Sequence, residues 1–426
     1  MIKSLKRIRF GKYNLRNILF IFVFIFISFL GLWFYRFNTS SINPKLKMRS
    51  WDVVSDGHHN AFTDMVYWNE NFYLVYRSAD THIDLDSKLV LIKSDDAEIW
   101  EEVEEFRFKD ADIRDAKFLV LNNTLFIYAL KNVDPLAEPH TSLYTFSYDG
   151  EKWADWEDMY PKDHVCWRPK IINNIVYVAT VSEDHKKSIL LKSVDGMNWE
   201  EVGTIYKGEI HGEPAISLLP DGRMICVARM EGSSIIPLTG DSSACTLIGI
   251  ATPPYNDWDF EKDYTTKLDG PVLFYNENDR KTYAIGRYEP DFKGPITQTG
   301  SQFSCKRTSI FLLEEDELVY LSDLPSGGDT SYPGVVIYEE FLYICYYTSD
   351  TFRDPCWLMG EMGSTNIRMA VIKLSDLEKV AEDPPNLPPK GIPPDIIFLI
   401  VTLTPCSVII IQKIRKKQQI RNNQLS

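Results

Sequence analysis

At 426 residues the chain is longer than an average domain of about 150 residues and can bury a large core, which excludes a small disulfide-stapled scaffold. Its 44% hydrophobic and 25% charged residues exclude wholesale disorder and a fibrous repeat, and 13% aromatics lean towards strands and carbohydrate-facing surfaces. The net charge of −14 is unevenly placed: residues 1–36 carry seven Lys or Arg and residues 396–426 five, with no acid in either segment, so residues 37–395 hold 60 acids against 34 bases, a net −26. Such a surface repels a phosphate backbone, and nucleic acid is not an expected partner.

Residues 1–16 form a basic segment, and residues 17–36 contain the uncharged run Ile18 to Tyr35, about long enough to cross a hydrocarbon core. Lys3, Lys6, Arg7, Arg9, Lys12 and Arg16 precede it, so the positive-inside bias puts the N-terminus in the cytoplasm. A cleaved signal peptide is the alternative, but the end of the run is bulky and aromatic, without an A-x-A-like site. A second apolar run, residues 396–411, is shorter and contains Pro405, and the basic tail 412–426 follows it. The expectation is a second transmembrane helix, against a buried or interfacial segment, with both termini cytoplasmic and the intervening domain outside the cell membrane.

Residues 37–50 read as a linker, and six prolines in residues 382–395 make a semi-rigid spacer, which leaves 51–381 as the folded domain. The seven cysteines contain no C-x-x-C pair, and the seven histidines show no ligand spacing, so neither metal nor cofactor is expected.

Within the domain a motif recurs. Ser94-Asp95-Asp96-Ala97-Glu98-Ile99-Trp100, Ser147-Tyr148-Asp149-Gly150-Glu151-Lys152-Trp153 and Ser193-Val194-Asp195-Gly196-Met197-Asn198-Trp199 each place Asp two and Trp six residues after Ser, at spacings of 53 and 46 residues. Each follows an apolar strand, which predicts a hairpin whose Ser and Asp side chains bond the turn backbone above an anchoring Trp. Further short strands such as Thr124 to Tyr128, Ile175 to Ala179 and Phe341 to Tyr347 lie between, and long amphipathic helices are absent. At roughly 50 to 55 residues per blade, residues 51–381 make an all-β, six-bladed β-propeller. Closure of such a disc joins its two chain ends in one blade.

These turns resemble the Asp-boxes (BNR repeats) of the sialidase, or neuraminidase, superfamily, one residue shorter than the usual form. The second half resembles it further. Glu213-Pro214-Ala215-Ile216-Ser217-Leu218-Leu219-Pro220-Asp221-Gly222 runs into a strand ending at Arg229, Arg307 opens another strand, and Tyr332 stands in the small-residue segment Gly327 to Gly334. The resemblance implies a retaining exo-glycosidase in which Tyr332 is the nucleophile, Glu213 its base, and Arg229 and Arg307 grip a substrate carboxylate. A tyrosine avoids the repulsion that an anomeric carboxylate would impose on an ionised Asp or Glu nucleophile.

The first half departs from that pattern. Where the family has an arginine in F/Y-R-I-P, this chain reads His59-Asn60-Ala61-Phe62-Thr63-Asp64, with Arg77 one strand later. The acid/base aspartate implied by the resemblance falls at Asp84, with Asp80 and Asp86 nearby. His59, Asn60, Asp64, Arg77 and His82 form a substitute polar cluster for substrate, which leaves sialic acid, a neutral sugar or another acidic sugar open. Arg114-Asp115 and Trp167-Arg168 either line the central pocket or make inter-blade salt bridges. Two functions follow: a membrane-anchored, outward-facing glycosidase acting on glycoconjugates, or a catalytically silent propeller that binds glycan or protein at the cell surface.

Overall fold

The computed structural model describes residues 46–133, 140–232, 238–290, 293 and 297–387, together with 9–10, 13–14 and 20–26 near the N-terminus. The chain divides into two compact units, Met1–Ser40 with Lys390–Ser426, and Ser41–Pro389. In the first, Arg9–Phe10 pairs with Tyr13–Asn14 and residues 20–26 are helical. No helix among the described residues is long and apolar enough to cross a membrane. Most of the expected span 17–36, and all of 396–411, lie outside the described residues.

The second unit is a six-bladed β-propeller. Blade 1 runs His59–Trp68, Asn71–Ala79, Lys88–Ser94 and Glu101–Arg107, each strand antiparallel to the next. Four more blades repeat this plan, beginning at Asp112–Leu121, at the split strand His164–Cys166 with Lys170–Ile172, at Ile210–Leu218 and at Asp269–Asn276. Blade 6 joins Thr330–Tyr338, Phe341–Thr348 and Asn366–Lys373 to Met48–Val54, so the first strand of the unit is the outer edge of the last blade. This closure makes an edge strand into a seam and ties the two ends of the unit to one blade.

The first strands of blades 1, 4, 5 and 6 are largely buried, whereas outer strands such as Glu101–Arg107 and Glu200–Lys207 are exposed along much of their length. Apolar clusters fill the spaces between adjacent blades: Leu89, Leu91, Phe118 and Ile127 share one, Val176, Leu191, Phe126 and Tyr128 the next. The helix Leu374–Glu382 follows the last strand and buries Leu374, Leu377 and Val380 against Leu46, Val272 and Phe274.

The three repeated motifs sit between the third and fourth strands of blades 1, 2 and 3. Asp96 Oδ1 accepts from the backbone N–H of Glu98 and Ile99 at 2.7 and 2.9 Å, Asp149 Oδ1 from Glu151 and Lys152 at 2.9 and 2.8 Å, and Asp195 Oδ1 from Met197 and Asn198 at 2.9 and 2.8 Å. The serine hydroxyl turns inward to the same carboxylate in each. The motif therefore supplies donors and acceptors for an otherwise open turn, as an Asx turn does.

Candidate active site

The innermost strands share a device that builds the site. Their pairing with the second strand slips between Ala61 and Asp64, Arg114 and Lys117, Gly212 and Ala215, Asp269 and Val272, and Ser331 and Gly334. At each slip one residue takes a left-handed conformation: Phe62 (φ 56°), Asp115 (53°), Glu213 (54°), Gly270 (61°) and Tyr332 (48°). In blade 3 the strand instead breaks between Cys166 and Lys170, around Trp167. A bulge re-aims one side chain, and left-handed backbone at non-glycine residues costs about 1 kcal/mol or more, so its recurrence around the ring marks a place where function overrides local preference. Phe62, Asp115, Trp167, Glu213 and Tyr332 all line one cavity of about 680 Å³.

Tyr332 donates its hydroxyl to Glu213 Oε1 in a short hydrogen bond. Arg229 Nη1 lies 2.8 Å from the same Glu213 oxygen and 3.3 Å from the Tyr332 hydroxyl, and the backbone N–H of Gly270 donates to Glu213 Oε2 at 2.6 Å. Burial, then the Glu213 carboxylate, pushes the Tyr332 phenol well above its ordinary value. Burial also raises Glu213, with Arg229 opposing. Burial works against the charge on Arg229, but Glu213 and Glu231 together outweigh it and hold the guanidinium firmly protonated. The phenol is therefore kept protonated at rest beside a carboxylate placed to take its proton.

A second arginine faces the same tyrosine. Arg287 lies with Cζ 5.2 Å from the Tyr332 ring centre and 4.7 Å from that of Trp357. Its Nε donates to Thr330 O at 2.9 Å and its Nη2 to the Tyr347 hydroxyl at 2.9 Å, with Asp329 Oδ1 at 3.3 Å. The cavity is completed by His82, Arg114, His185, Glu231, Lys267, Trp357 and Glu361, among others.

The expected site residues separate into two groups. Tyr332, Glu213, Arg229 and His82 line the cavity. Arg307 does not: it is buried in a two-pronged pair with Asp354, at 2.8 and 2.7 Å. The residue in the position expected of it is Arg287, opposite Asp269 on the second strand of blade 5, just as Arg229 is opposite Gly212 on the second strand of blade 4. Arg77 occupies the same position on blade 1, opposite Ala61, but it is fully buried and its guanidinium is turned onto Asp112, with Nε at 2.7 Å. Asp64 pairs with Arg168 at 2.8 Å and accepts from Phe118 N–H, away from the cavity lining. Asp84 is half-buried and caps its own loop, accepting from the backbone of Asp80 and Asp86 at 3.0 and 2.9 Å. The carboxyl group that enters the cavity beside Tyr332 is Asp115, and its buried Oδ1 has no hydrogen-bond partner.

Residues overlooked in the sequence carried readable signals. Asp115 was open between pocket and inter-blade bridge, and the structure puts it in the pocket. Arg287 sits in Ala284-Ile285-Gly286-Arg287-Tyr288-Glu289, which parallels Cys226-Val227-Ala228-Arg229-Met230-Glu231. The bulges in blades 4, 5 and 6 are announced by Glu213-Pro214, Gly270-Pro271 and Tyr332-Pro333, because a proline inside an inner strand has to sit at a break in the ladder.

One cluster has donor types suited to a metal: His59, His82 and Asp329. His59 Nε2 and His82 Nδ1 both address Asp329 Oδ2, at 3.0 and 2.7 Å, which are hydrogen-bond separations. Asp329 Oδ1 accepts from Tyr347 and Trp357, each at 3.0 Å. Burial raises the cost of the Asp329 charge, but His82, His59 and Arg287 hold the group well below the usual carboxylate range. The cluster reads as the support that fixes Arg287 and Trp357.

No family model matches the sequence, and no curated protein matches it. Solved structures do. A Dyadobacter fermentans protein of unknown function superposes with a TM-score of 0.57 at 15% identity, covering 78% of this chain and 99% of that one. Trypanosoma rangeli sialidase in complex with sialic acid gives 0.56 at 13% identity, covering 81% and 60%. The NanB sialidase of Streptococcus pneumoniae gives 0.55 at 10% identity, covering 76% and 70%. The chain thus matches about 60% of the length of the trypanosomal sialidase. The fold is that of a divergent sialidase-like six-bladed propeller.

Proposed function

We propose that the cavity is the active site of a retaining exo-glycosidase of sialidase type. The observation that carries the reading is the shared contact of Tyr332, Glu213 and Arg229: the phenol donates to a carboxylate that the guanidinium also holds. Attack of the Tyr332 oxygen on the anomeric carbon passes its proton to Glu213, while Asp115 serves as general acid to the departing glycosidic oxygen. Water then attacks the glycosyl-tyrosine, Asp115 takes one proton from that water, the other stays on the new sugar hydroxyl, and Glu213 returns to the phenolate the proton it took in the first step. Asp115 is assigned this role because it alone of the blade bulges other than Glu213 presents a carboxyl group, and it does so with an unpaired oxygen.

Membrane attachment belongs to the same proposal. The apolar runs at both ends and the basic residues flanking them support a propeller tethered outside the cell with both termini inside, acting on glycoconjugates. Protease added to intact cells should cut both the linker at 37–50 and the proline-rich spacer and so release the propeller, and full protection would reverse the orientation.

The enzyme reading is tested with fluorogenic glycosides and the Tyr332→Phe variant. Release that vanishes in a folded variant supports it. Saturable sugar binding without release from any glycoside would favour a binding propeller instead.

A further inference from the structure

The charges around the cavity are already matched. Arg114 forks onto Asp112, bonds the carbonyl oxygen of His82 at 2.8 Å, and keeps 15% of its side chain exposed. Arg229 holds Glu213 and lies 2.8 Å from Glu231, and Lys267 lies 2.8 Å from Glu231 and 3.2 Å from Asp269. Arg287 is sandwiched between the Tyr332 and Trp357 rings, with 2% of its side chain exposed. Among the described residues each arginine and lysine of the cavity already holds an internal acid, so a carboxylate ligand would have to share or displace one to gain a free guanidinium fork. Bidentate guanidinium recognition needs that free fork.

The cavity wall points the other way as well. Asp115 and Glu361 both line it and form no ion pair among the described residues, so two carboxyl groups face the space where a ligand would sit. Beside the nucleophile stands Phe62, its ring edge-on to Tyr332 with centres 5.0 Å apart, where it presents hydrocarbon. Trp167 and Trp357 add two further aromatic walls. Carboxyl groups exchange hydrogen bonds with sugar hydroxyls and aromatic faces accept C–H faces, and neither supplies the cation that an acid needs.

From this geometry we propose that the site takes a neutral sugar, an aldose carrying hydrogen rather than a carboxylate on the reacting carbon. The inference rests on reading the cavity as a glycosidase site, and it also specifies what binds if no bond is broken. A tyrosine nucleophile is compatible with it, because attack by a neutral phenol with proton transfer to Glu213 makes no demand on substrate charge.

The test uses the full chain in detergent with 4-methylumbelliferyl glycosides of glucose, galactose, mannose, fucose and N-acetylglucosamine, in both anomers, beside the N-acetylneuraminic acid glycoside. The expected result is release from a neutral glycoside at least ~100-fold faster than from the sialoside, because a carboxylate would have to displace an internal acid from its cation and breaking a buried charge pair costs several kcal/mol. Faster release from the sialoside would overturn the inference while leaving the glycosidase reading intact. If nothing is released, tryptophan fluorescence is titrated with the free sugars. Saturable quenching by a neutral sugar and not by N-acetylneuraminic acid supports the inference and removes the enzyme. Quenching by the acid alone, or by no sugar, overturns the inference.

Discussion

Gly270 packs directly against the ring of Tyr332, so that a Cβ built on this glycine would stand 2.7 Å from both Cγ and Cδ2 of the tyrosine. The same glycine gives its backbone N–H to Glu213 and holds φ at +61°, so one residue without a side chain positions both members of the proposed nucleophilic pair.

Gly270→Ala should therefore damage chemistry more than folding. The left-handed backbone costs an alanine about 1 kcal/mol. The clash must be relieved by moving the Tyr332 ring off Glu213, and a displacement of about 1 Å at a reacting group can cost 100-fold in rate. Expected are a modest drop in unfolding midpoint and a loss of at least ~100-fold in kcat. Unchanged kcat in this variant would show that Tyr332 does not need its present seat.

Arg307 and Arg229 should part company on mutation. Arg307 is bound at both prongs by Asp354 and does not line the cavity, so Arg307→Ala takes the guanidinium away from a buried carboxylate. Loss of one partner of a buried pair costs about 3–5 kcal/mol. Denaturant unfolding should show that loss while KM stays as it was. Arg229→Ala, by contrast, should lower kcat, since the guanidinium touches both Glu213 and the Tyr332 hydroxyl. A rise in KM for Arg307→Ala would return that residue to the substrate.

The repeated turns are also joined to their neighbours. Tyr128, on the second strand of blade 2, donates its hydroxyl at 2.7 Å to the carbonyl oxygen of Gly196 in the blade 3 turn. Tyr128→Phe removes the donor and strands that carbonyl, which should destabilise the propeller by about 1–2 kcal/mol in urea unfolding. No change would mean that water replaces the hydroxyl.

What could be read from the sequence follows the physics of each feature. The blade count was legible because Ser94, Ser147 and Ser193 open the same local turn, and a turn is specified by residues adjacent in the chain. Tyr332 and Glu213 were legible through their resemblance to a family order. Arg307 and Asp84 misled because type and spacing say nothing about partners. Asp354 lies 47 residues from Arg307 and takes both prongs of its guanidinium, while Asp84 is close enough to Asp80 and Asp86 to be consumed by its own loop. Asp115 depended on a bulge, and a bulge appears only when the second strand shows which residue has no opposite number.

Glu361 gives a pH dependence whose sign is fixed. Burial first, then the Asp329 carboxylate, lifts its carboxyl group from 4.5 to about 7. Below pH 4.5 the group is protonated in both folded and unfolded chains and contributes nothing. As pH rises towards 7 the unfolded chain releases the proton while the folded chain retains it, so the unfolded state binds fewer protons and stability falls. Above that the full cost is present, roughly 1–3 kcal/mol. Glu361→Gln keeps the size of the side chain and removes the titration. Its stability should match the parent at pH 4.5 and exceed it increasingly up to pH 8 in thermal unfolding. Parallel pH profiles would show that water reaches the carboxylate and that Glu361 does not retain its proton in the folded chain.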